Sequence, residues 1–452
     1  MTTKHKLALA ALNRRMLLLS ALTVLVLGSF IPTITSSARD NPDGQRWIGT
    51  WATAPQPSLP GNPQTFRNQS LRLIVHTSAG GTTVRIKISN TFGDQPLLIG
   101  SAHIARRTSA AGIDPASDRR LLFHGHSSAT VPKRSVVASD PVDLDVPALS
   151  DLAVSLFLPK TTTVTTAHIL ALQTGYVSPE TGDSTAEANF PVAKTIVSWP
   201  FLTGVDVAAS ARGAAIVAFG SSLTDGDGST KDANRRWPDV LAERLEKDAS
   251  PEAQWGVLNE GIIGNRLLTD SQSPRQSGGP SPLAAVLDRL GPALGSAGLA
   301  RFERDVLAQA GVKYVILALG VNDILFPGSF IPAAESVTAQ DVISGNRKLI
   351  ARAHKKGIRA IGTTIPPFEN AIFRSPYFDR FSTPEKEKVR QEVNAWIRNG
   401  GEFDGVIDFD EVVRDHSHPK QLLPAYDSGD HLHVNDAGNI AQGNAIDLSL
   451  FR

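Results

Sequence analysis

The sequence predicts a chain in two folded parts. Residues 39–205 read as an all-β sandwich or jelly-roll-like region, and residues 206–452 as an α/β layer built on a doubly wound parallel sheet of about five strands. Two observations carry this. Between Arg46 and Pro200, short runs alternate apolar and polar residues and no long helical period occurs. From Arg212 onward, short continuous apolar runs alternate with stretches of helical period.

Ahead of both parts, residues 1–38 read as an address rather than as fold. Lys4, Lys6, Arg14 and Arg15 precede the apolar run Met16–Ile31, and the small residues "TSSA" come next, with a cleavage position after Ala38. The run is 16 residues long, short of the ~20 that a spanning helix needs. The expectation is a cleaved signal peptide, with an uncleaved N-terminal anchor as the second reading. Both send the remaining chain out of the cytoplasm, to the periplasm or the exterior, with no membrane span once the signal is removed.

In the β-rich part, "SLRLIVHTS" (Ser70–Ser78), "TTVRIKISN" (Thr82–Asn90), "SSATVPKRSVVASDPVDL" (Ser127–Leu144) and "DLAVSLFLP" (Asp151–Pro159) are strand candidates. Gly80-Gly81 between the first two suggests a hairpin turn. In the α/β part, "GAAIVAFG" (Gly213–Gly220) has the uninterrupted apolar character of a central parallel strand. The stretch "WPDVLAERLEKD" places Trp237, Val240, Leu241 and Leu245 on one helical face. "WGVLNE", "KYVILALG" (Lys313–Gly320), "IRAIGTTI" and "DGVIDF" supply four further strands. Between them lie helices over "ISGNRKLIARAHKKG", closed by Gly357, and "TPEKEKVRQEVNAWIRNG". Residues 271–298 are rich in Gly, Pro and Ser and read as an inserted loop. No internal repeat is present.

Composition removes several function classes. Hydrophobic residues are 41% and charged residues 20%, as in ordinary globular proteins. Lys and Arg number 45 against 44 Asp and Glu, which leaves no basic field for nucleic acid. With no cysteine, thiolate catalysis, disulfides, iron–sulfur clusters and zinc–thiolate sites are excluded. His416, His418, His431 and His433 cluster in sequence, but their spacing matches no familiar metal-ligand pattern. The loop from Asp225 has Thr230 and Arg236 where a calcium hand needs Gly and Glu. Neither metal nor cofactor is expected. Trp47, Trp51 and Phe66 could stack on sugars, though core packing is the simpler account.

Ligands of open parallel α/β sheets bind beyond the C-terminal ends of the strands. Here the strand ends run into "GSSLTDG" (Gly220–Gly226), "NEGIIGN" (with Asn259, Gly261, Gly264 and Asn265) and "GVND" (Gly320–Asp323). Near the C-terminus lies "DSGDHLHVNDAG", with Asp430, His431 and His433. Together they bring a hydroxyl, an imidazole, a carboxylate and candidate hydrogen-bond donors to one sheet edge. Acyl transfer needs that set. A serine hydroxyl attacks only when a base removes its proton, a carboxylate fixes the tautomer of that base, and amide hydrogens must meet the oxyanion. Each block alone has a bland reading: Ser222 as a helix cap, Gly264 as a positive-φ turn, Asn322 as a turn residue, Asp430 as a surface charge. Four in order do not.

These four blocks resemble those of the SGNH (GDSL-type) hydrolase superfamily. The segments "GTWATAPQ", "LRLIVHTSAGGTTVRIKISNTFG", "GNRLL" and "LARFERDVLAQAGVKYVILALGVNDI" are also similar to bacterial exported GDSL esterases with an N-terminal β-domain. The resemblance implies a flavodoxin-like SGNH sheet, with Ser222 as nucleophile, His433 as base and Asp430 orienting it. It implies an oxyanion hole made by the backbone N–H groups of Ser222 and Gly264 and the side chain of Asn322. Two departures stand out. Ser221 replaces the GDSL aspartate, giving two adjacent serines, and "HVND" stands where "HPND" is common.

The function expected on this basis is an exported serine esterase or acylhydrolase. Its substrate is a small-molecule or polysaccharide-borne ester with a short acyl group such as acetate. A lipase, arylesterase or thioesterase on the same site is the alternative within enzymes, and a non-catalytic carbohydrate-binding protein is the alternative outside them.

Overall fold

The computed structural model describes residues 46–59, 63–248, 253–271, 291–372 and 381–451. The expected signal segment 1–38 and most of the expected inserted loop (272–290) lie outside these residues. Among the described residues no helix is long and apolar enough to cross a membrane.

The β-rich part is a sandwich of two antiparallel sheets. One contains Arg46–Ala52, Leu202–Ala209 and Gly81–Ser89 side by side, with Val136–Ala138 and Val142–Val146 on the outer side of Gly81–Ser89. The other runs in the order Lys194–Ile196, Gly175–Val177, Gln69–His76, Asp151–Leu158, Ser101–Arg106 and Arg119–Arg120. Alternate residues of both sheets meet in one core: Leu71, Leu73 and Val75 from one, Val84, Ile86 and Ile88 from the other, with Trp51 and Phe66 also enclosed. Ile74 points the opposite way, into a second apolar cluster with Tyr176 and Phe190.

Gly80-Gly81 is not a hairpin turn. The strands on either side of it belong to different sheets, so the chain changes layer there. Alternation along a strand fixes which face is buried, not which strand lies alongside. The two glycines serve close approach. A Cβ on Gly80 would stand 2.7 Å from the Val146 carbonyl oxygen, and one on Gly81 2.8 Å from Val207. The expected run Ser127–Leu144 is divided by Pro132 and Pro141 into the pieces Ala129–Val131 and Val136–Ala138 and the start of Val142–Val146.

In the C-terminal part, five described parallel strands lie in the order Trp255–Asn259, Ala214–Gly220, Val312–Ala318, Arg359–Thr363, Gly405–Ile407. By sequence this is 2-1-3-4-5, the flavodoxin-like doubly wound order. Both faces are covered, which is why the strand interiors are apolar, with Asn259, Lys313, Arg359 and Thr363 at or near strand ends. Ile216, Ala218, Ile316 and Ile361 face Trp237, Leu241 and Leu245 of the helix Trp237–Asp248 and Ile446 just past the helix Asp436–Ala445. Ala215, Val217, Val315 and Leu317 face Val342, Leu349 and Ile350 of Ala339–Lys355 and Val393 and Ile397 of Pro384–Asn399. The first of these latter helices opens on a capping box between Thr338 and Asp341, and the chain leaves it through Gly357 at φ +70°. The second is capped by the Thr383 hydroxyl, which accepts from the Lys386 N–H.

The strand Arg46–Ala52 serves both parts. One edge pairs within the sandwich, while the Gly49 N–H donates to the Ala310 carbonyl at 3.0 Å. Gly49 also lies against Gly256 of the outermost parallel strand, where any Cβ would fall 1.9 Å from the Gly49 oxygen. The outward Val257 N–H of that strand donates to Ser78 Oγ at 2.8 Å. The sandwich thereby covers an edge that would otherwise present unpaired backbone.

Candidate active site

The strand Ala214–Gly220 ends at the sheet edge and turns at once into the short helix Ser222–Asp225, with Ser221 extended before it. Gly220 leaves no room for a side chain, since its Cβ would sit 2.0 Å from Thr224 Oγ1. This sharp turn sets Ser222 in the first helical position. Its N–H belongs to the group that an α-helix leaves unused at its N-terminal end.

Ser222 Oγ lies 2.8 Å from His433 Nε2, and His433 Nδ1 lies 2.7 Å from Asp430 Oδ2. The carboxylate can only accept at Nδ1, so Nδ1 carries the hydrogen and Nε2 is free to accept from the serine hydroxyl. Asp430 Oδ1 accepts from the backbone N–H groups of Leu432 (3.0 Å) and His433 (2.8 Å) and from the Ser428 hydroxyl (3.2 Å). Burial opposes its charge, but the His433 ring and these amide hydrogens outweigh burial and hold its pKa well below the usual carboxylate range. Asp227 Oδ2 stands 3.8 Å from His433 Nε2 on the other side, a second negative charge near the imidazole.

The second and third blocks are tied to each other and to the first. Gly264 takes φ +69° in a turn closed by Asn265 N–H donating to the Ile262 carbonyl at 3.1 Å, and a Cβ there would run into Leu294 at 2.7 Å. The Asn322 amide donates to the Asn265 carbonyl at 3.0 Å. The amide carries a second N–H, whose direction this bond fixes. Asp323 accepts from the Leu267 and Leu268 N–H groups at 2.7 and 2.9 Å, and burial raises its carboxyl to about 6 despite them. Asn259 bridges blocks one and two: its amide donates to the Thr224 carbonyl at 2.7 Å and its oxygen accepts from Gly261 N–H at 3.0 Å.

Beneath these loops the buried Arg301 guanidinium donates to the carbonyls of Gly220 and Glu260, both at 2.8 Å, to Asn265 Oδ1 at 2.9 Å and to Asp305 Oδ2 at 3.0 Å. One cation thus fastens the ends of the first two strands and the block-two turn. Asp225 fills the same role from above. Its Oδ2 accepts from Ile263 N–H at 2.9 Å, and its Oδ1 lies 2.9 Å from His168 Nε2 of the β-rich part.

Of the residues singled out from the sequence, Ser222, His433 and Asp430 are thus in hydrogen-bond contact, and Gly264 and Asn322 are linked through Asn265. Ser221 is fully buried, and its hydroxyl has no hydrogen-bond partner among the described residues. His416, His418 and His431 lie beside Glu411, Asp415 and Asp427 respectively. Sequence reasoning passed over Asp227, although it lies in the same stretch as the first block. It also missed His168, for which no local pattern exists, and Arg301, which lies in the quoted stretch "LARFERDVLAQAGVKYVILALGVNDI" but whose partners that stretch does not reveal.

A family profile described as "GDSL-like Lipase/Acylhydrolase" matches residues 216–446. No curated protein sequence matches the chain. Among solved structures, it is similar to a carbohydrate acetylesterase from Sinorhizobium meliloti at 17% identity, over 51% of this chain and 95% of that one, with a TM-score of 0.36. It is similar to the native aryl esterase of M. smegmatis at 20% identity, over 51% and 95%, TM-score 0.36. A GDSL-like lipase from Bacteroides thetaiotaomicron aligns at 16% identity, over 52% and 87%, TM-score 0.33.

Proposed function

Because the chain belongs to the GDSL-like lipase/acylhydrolase family, we propose that it is a serine esterase that works through Ser222, His433 and Asp430. The observation that carries the reading is the unbroken hydrogen-bonded line from Ser222 Oγ to His433 (2.8 Å) and on to Asp430 (2.7 Å). Ser222 Oγ attacks the ester carbonyl carbon while His433 Nε2 takes its proton. The carbonyl oxygen becomes an oxyanion and accepts hydrogen bonds from the Ser222 and Gly264 N–H groups and the Asn322 amide. Collapse breaks the bond to the alcohol oxygen, which leaves with the proton from Nε2. Water then attacks the Ser222-bound acyl group, giving its proton to His433, and the carboxylic acid leaves as Ser222 Oγ recovers it.

Throughout, Asp430 remains ionised and stabilises the imidazolium formed in each half-reaction. Asp227 adds attraction to that same cation from 3.8 Å. Asn322→Ala removes one oxyanion donor. Its expected result is a kcat lower by ~10²–10³ with little change in KM, measured by steady-state kinetics on p-nitrophenyl acetate. A fall confined to KM would make Asn322 a substrate-binding residue instead.

The substrate reading extends to O-acyl esters with short acyl groups, those borne by carbohydrates included, acted on outside the cytoplasm. Its support is the resemblance to exported GDSL esterases with an N-terminal β-domain and the leader-like residues 1–38. A series of p-nitrophenyl esters, run beside acetate release from acetylated sugars, tests it. The expected optimum is at about two to four carbons, as an order-of-magnitude expectation for a short acyl pocket. An optimum at about eight carbons or longer would point to a lipase on the same machinery.

A further inference from the structure

The joint between His168 and Asp225 lies outside the triad, yet it connects the sandwich to the groups on which the triad depends. His168 ends the short strand Thr166–His168, held between Gln56–Pro57 and Trp199–Pro200. Its side chain and that of Asp225 are each only 2% exposed. Nδ1 lies 3.0 Å from the Ala54 carbonyl and Nε2 lies 2.9 Å from Asp225 Oδ1. A carbonyl oxygen and a carboxylate oxygen both accept, so both ring nitrogens donate and the ring is an imidazolium. Trp199 packs beside it, with ring centroids 5.7 Å apart.

Asp225 closes the helix that begins with Ser222, and its own N–H donates to the Ser221 carbonyl at 2.9 Å. Its second oxygen takes the Ile263 N–H, one residue before Gly264. A single carboxylate therefore meets the nucleophile helix, the block-two turn and the sandwich. Without a counter-charge at this depth it would be costly to keep ionised. If it were displaced, the Ile263 amide would lose its acceptor.

We propose that His168 is a positioning residue of the active site, by which the β-rich part fixes Asp225 and, through the Ile263 amide, the turn that carries the Gly264 oxyanion donor. The proposal rests on the serine-esterase reading above. It gives the sandwich a share in catalysis without a sandwich residue touching substrate. The surroundings fit a charged ring. Burial opposes the charge, but Asp225 and the Ala54 carbonyl outweigh burial and raise the His168 pKa above the ordinary histidine value. The Arg236 guanidinium pushes the other way, and it is itself engaged by Asp239 at 2.8 Å. His76, on the same inter-layer space, is held by Asp151 at 2.7 Å.

The test compares wild type, His168→Gln and Asp225→Asn, with active sites counted by fluorophosphonate labelling so that partial misfolding does not lower the apparent kcat. Both variants should lose about tenfold or more in kcat per titrated site on p-nitrophenyl acetate, with KM within about twofold, because misplacing an oxyanion donor weakens the transition state and not substrate binding. Affinity for a boronic-acid transition-state analogue should fall in step. A smaller loss in folded, titratable His168→Gln overturns the proposal. If neither variant folds, the wild type decides. Histidine-¹⁵N spectra should show a ring that keeps both nitrogens protonated above the ordinary histidine pKa, and spectra in which every imidazole is already neutral there overturn it. A wild type that takes no fluorophosphonate would instead overturn the serine-esterase reading itself.

Discussion

Ser222→Ala should reduce ester turnover by on the order of 10⁶, the scale seen when a triad nucleophile is removed, while leaving the protein folded. The hydroxyl lies 2.8 Å from His433 Nε2, and alanine offers nothing that can form the acyl intermediate. Some rate above that in water should survive, because the oxyanion donors remain. The informative control is the neighbour. Ser221→Ala should keep most of the activity, since the Ser221 hydroxyl is buried, faces no base and has no partner among the described residues. Burst kinetics and fluorophosphonate labelling of both variants check this. Labelling that survives in Ser222→Ala but vanishes in Ser221→Ala would reassign the nucleophile.

Asp430→Asn should cost ~10⁴ in kcat, and His433→Ala on the order of 10⁶, the same scale as loss of the nucleophile. An asparagine can still accept the Leu432 and His433 amide hydrogens through its oxygen. Its NH₂ group would then face His433 Nδ1 and donate to it, which moves the ring hydrogen to Nε2. That hydrogen would point at Ser222 Oγ, and the imidazole could no longer take the serine proton. Raising the pH should not restore activity, since the fault is one of tautomer and not of charge.

The same substitution has a signature in stability. The pKa of Asp430 is lower in the folded chain than in the unfolded one, so the folded state binds fewer protons. Its contribution is present above the unfolded carboxylate value of ~4 and is lost as pH falls below it toward the folded value. Thermal unfolding of Asp430→Asn should therefore lack part of the acid-side decline seen in the wild type. An unchanged decline would mean that other carboxylates dominate it.

The parallel sheet was legible because a strand covered on both faces has no polar residues to interrupt it, as in Gly213–Gly220. The helix Trp237–Asp248 buries the face its periodicity indicates, Trp237, Val240, Leu241 and Leu245 included, since an apolar stripe repeats with the helical period. The four blocks were legible for a different reason. Close approaches at Gly220 and Gly264 and the side chains of Ser222, Asn322 and His433 are local requirements that leave local traces. Pairing over distance stayed hidden. Gly80-Gly81 looks the same whether the strands beside it are neighbours or lie in opposite layers. Arg301, which touches Gly220, Glu260 and Asn265 at once, lies in a stretch that carries the family likeness but not the identity of these distant partners. His168 is 57 residues from its carboxylate partner and carries no motif at all.

The contact of Gly49 with Gly256 bears on how such a protein can be rebuilt. Two backbones meet there with no side chain between them, and Ser78 caps the adjoining amide of Val257. The catalytic half is therefore not a cassette to be lifted out at Arg212 and fused elsewhere. A graft or truncation that leaves behind Arg46–Ala52 would open the flank of Trp255–Asn259 to self-association, and recombination between homologues should cross over outside this seam.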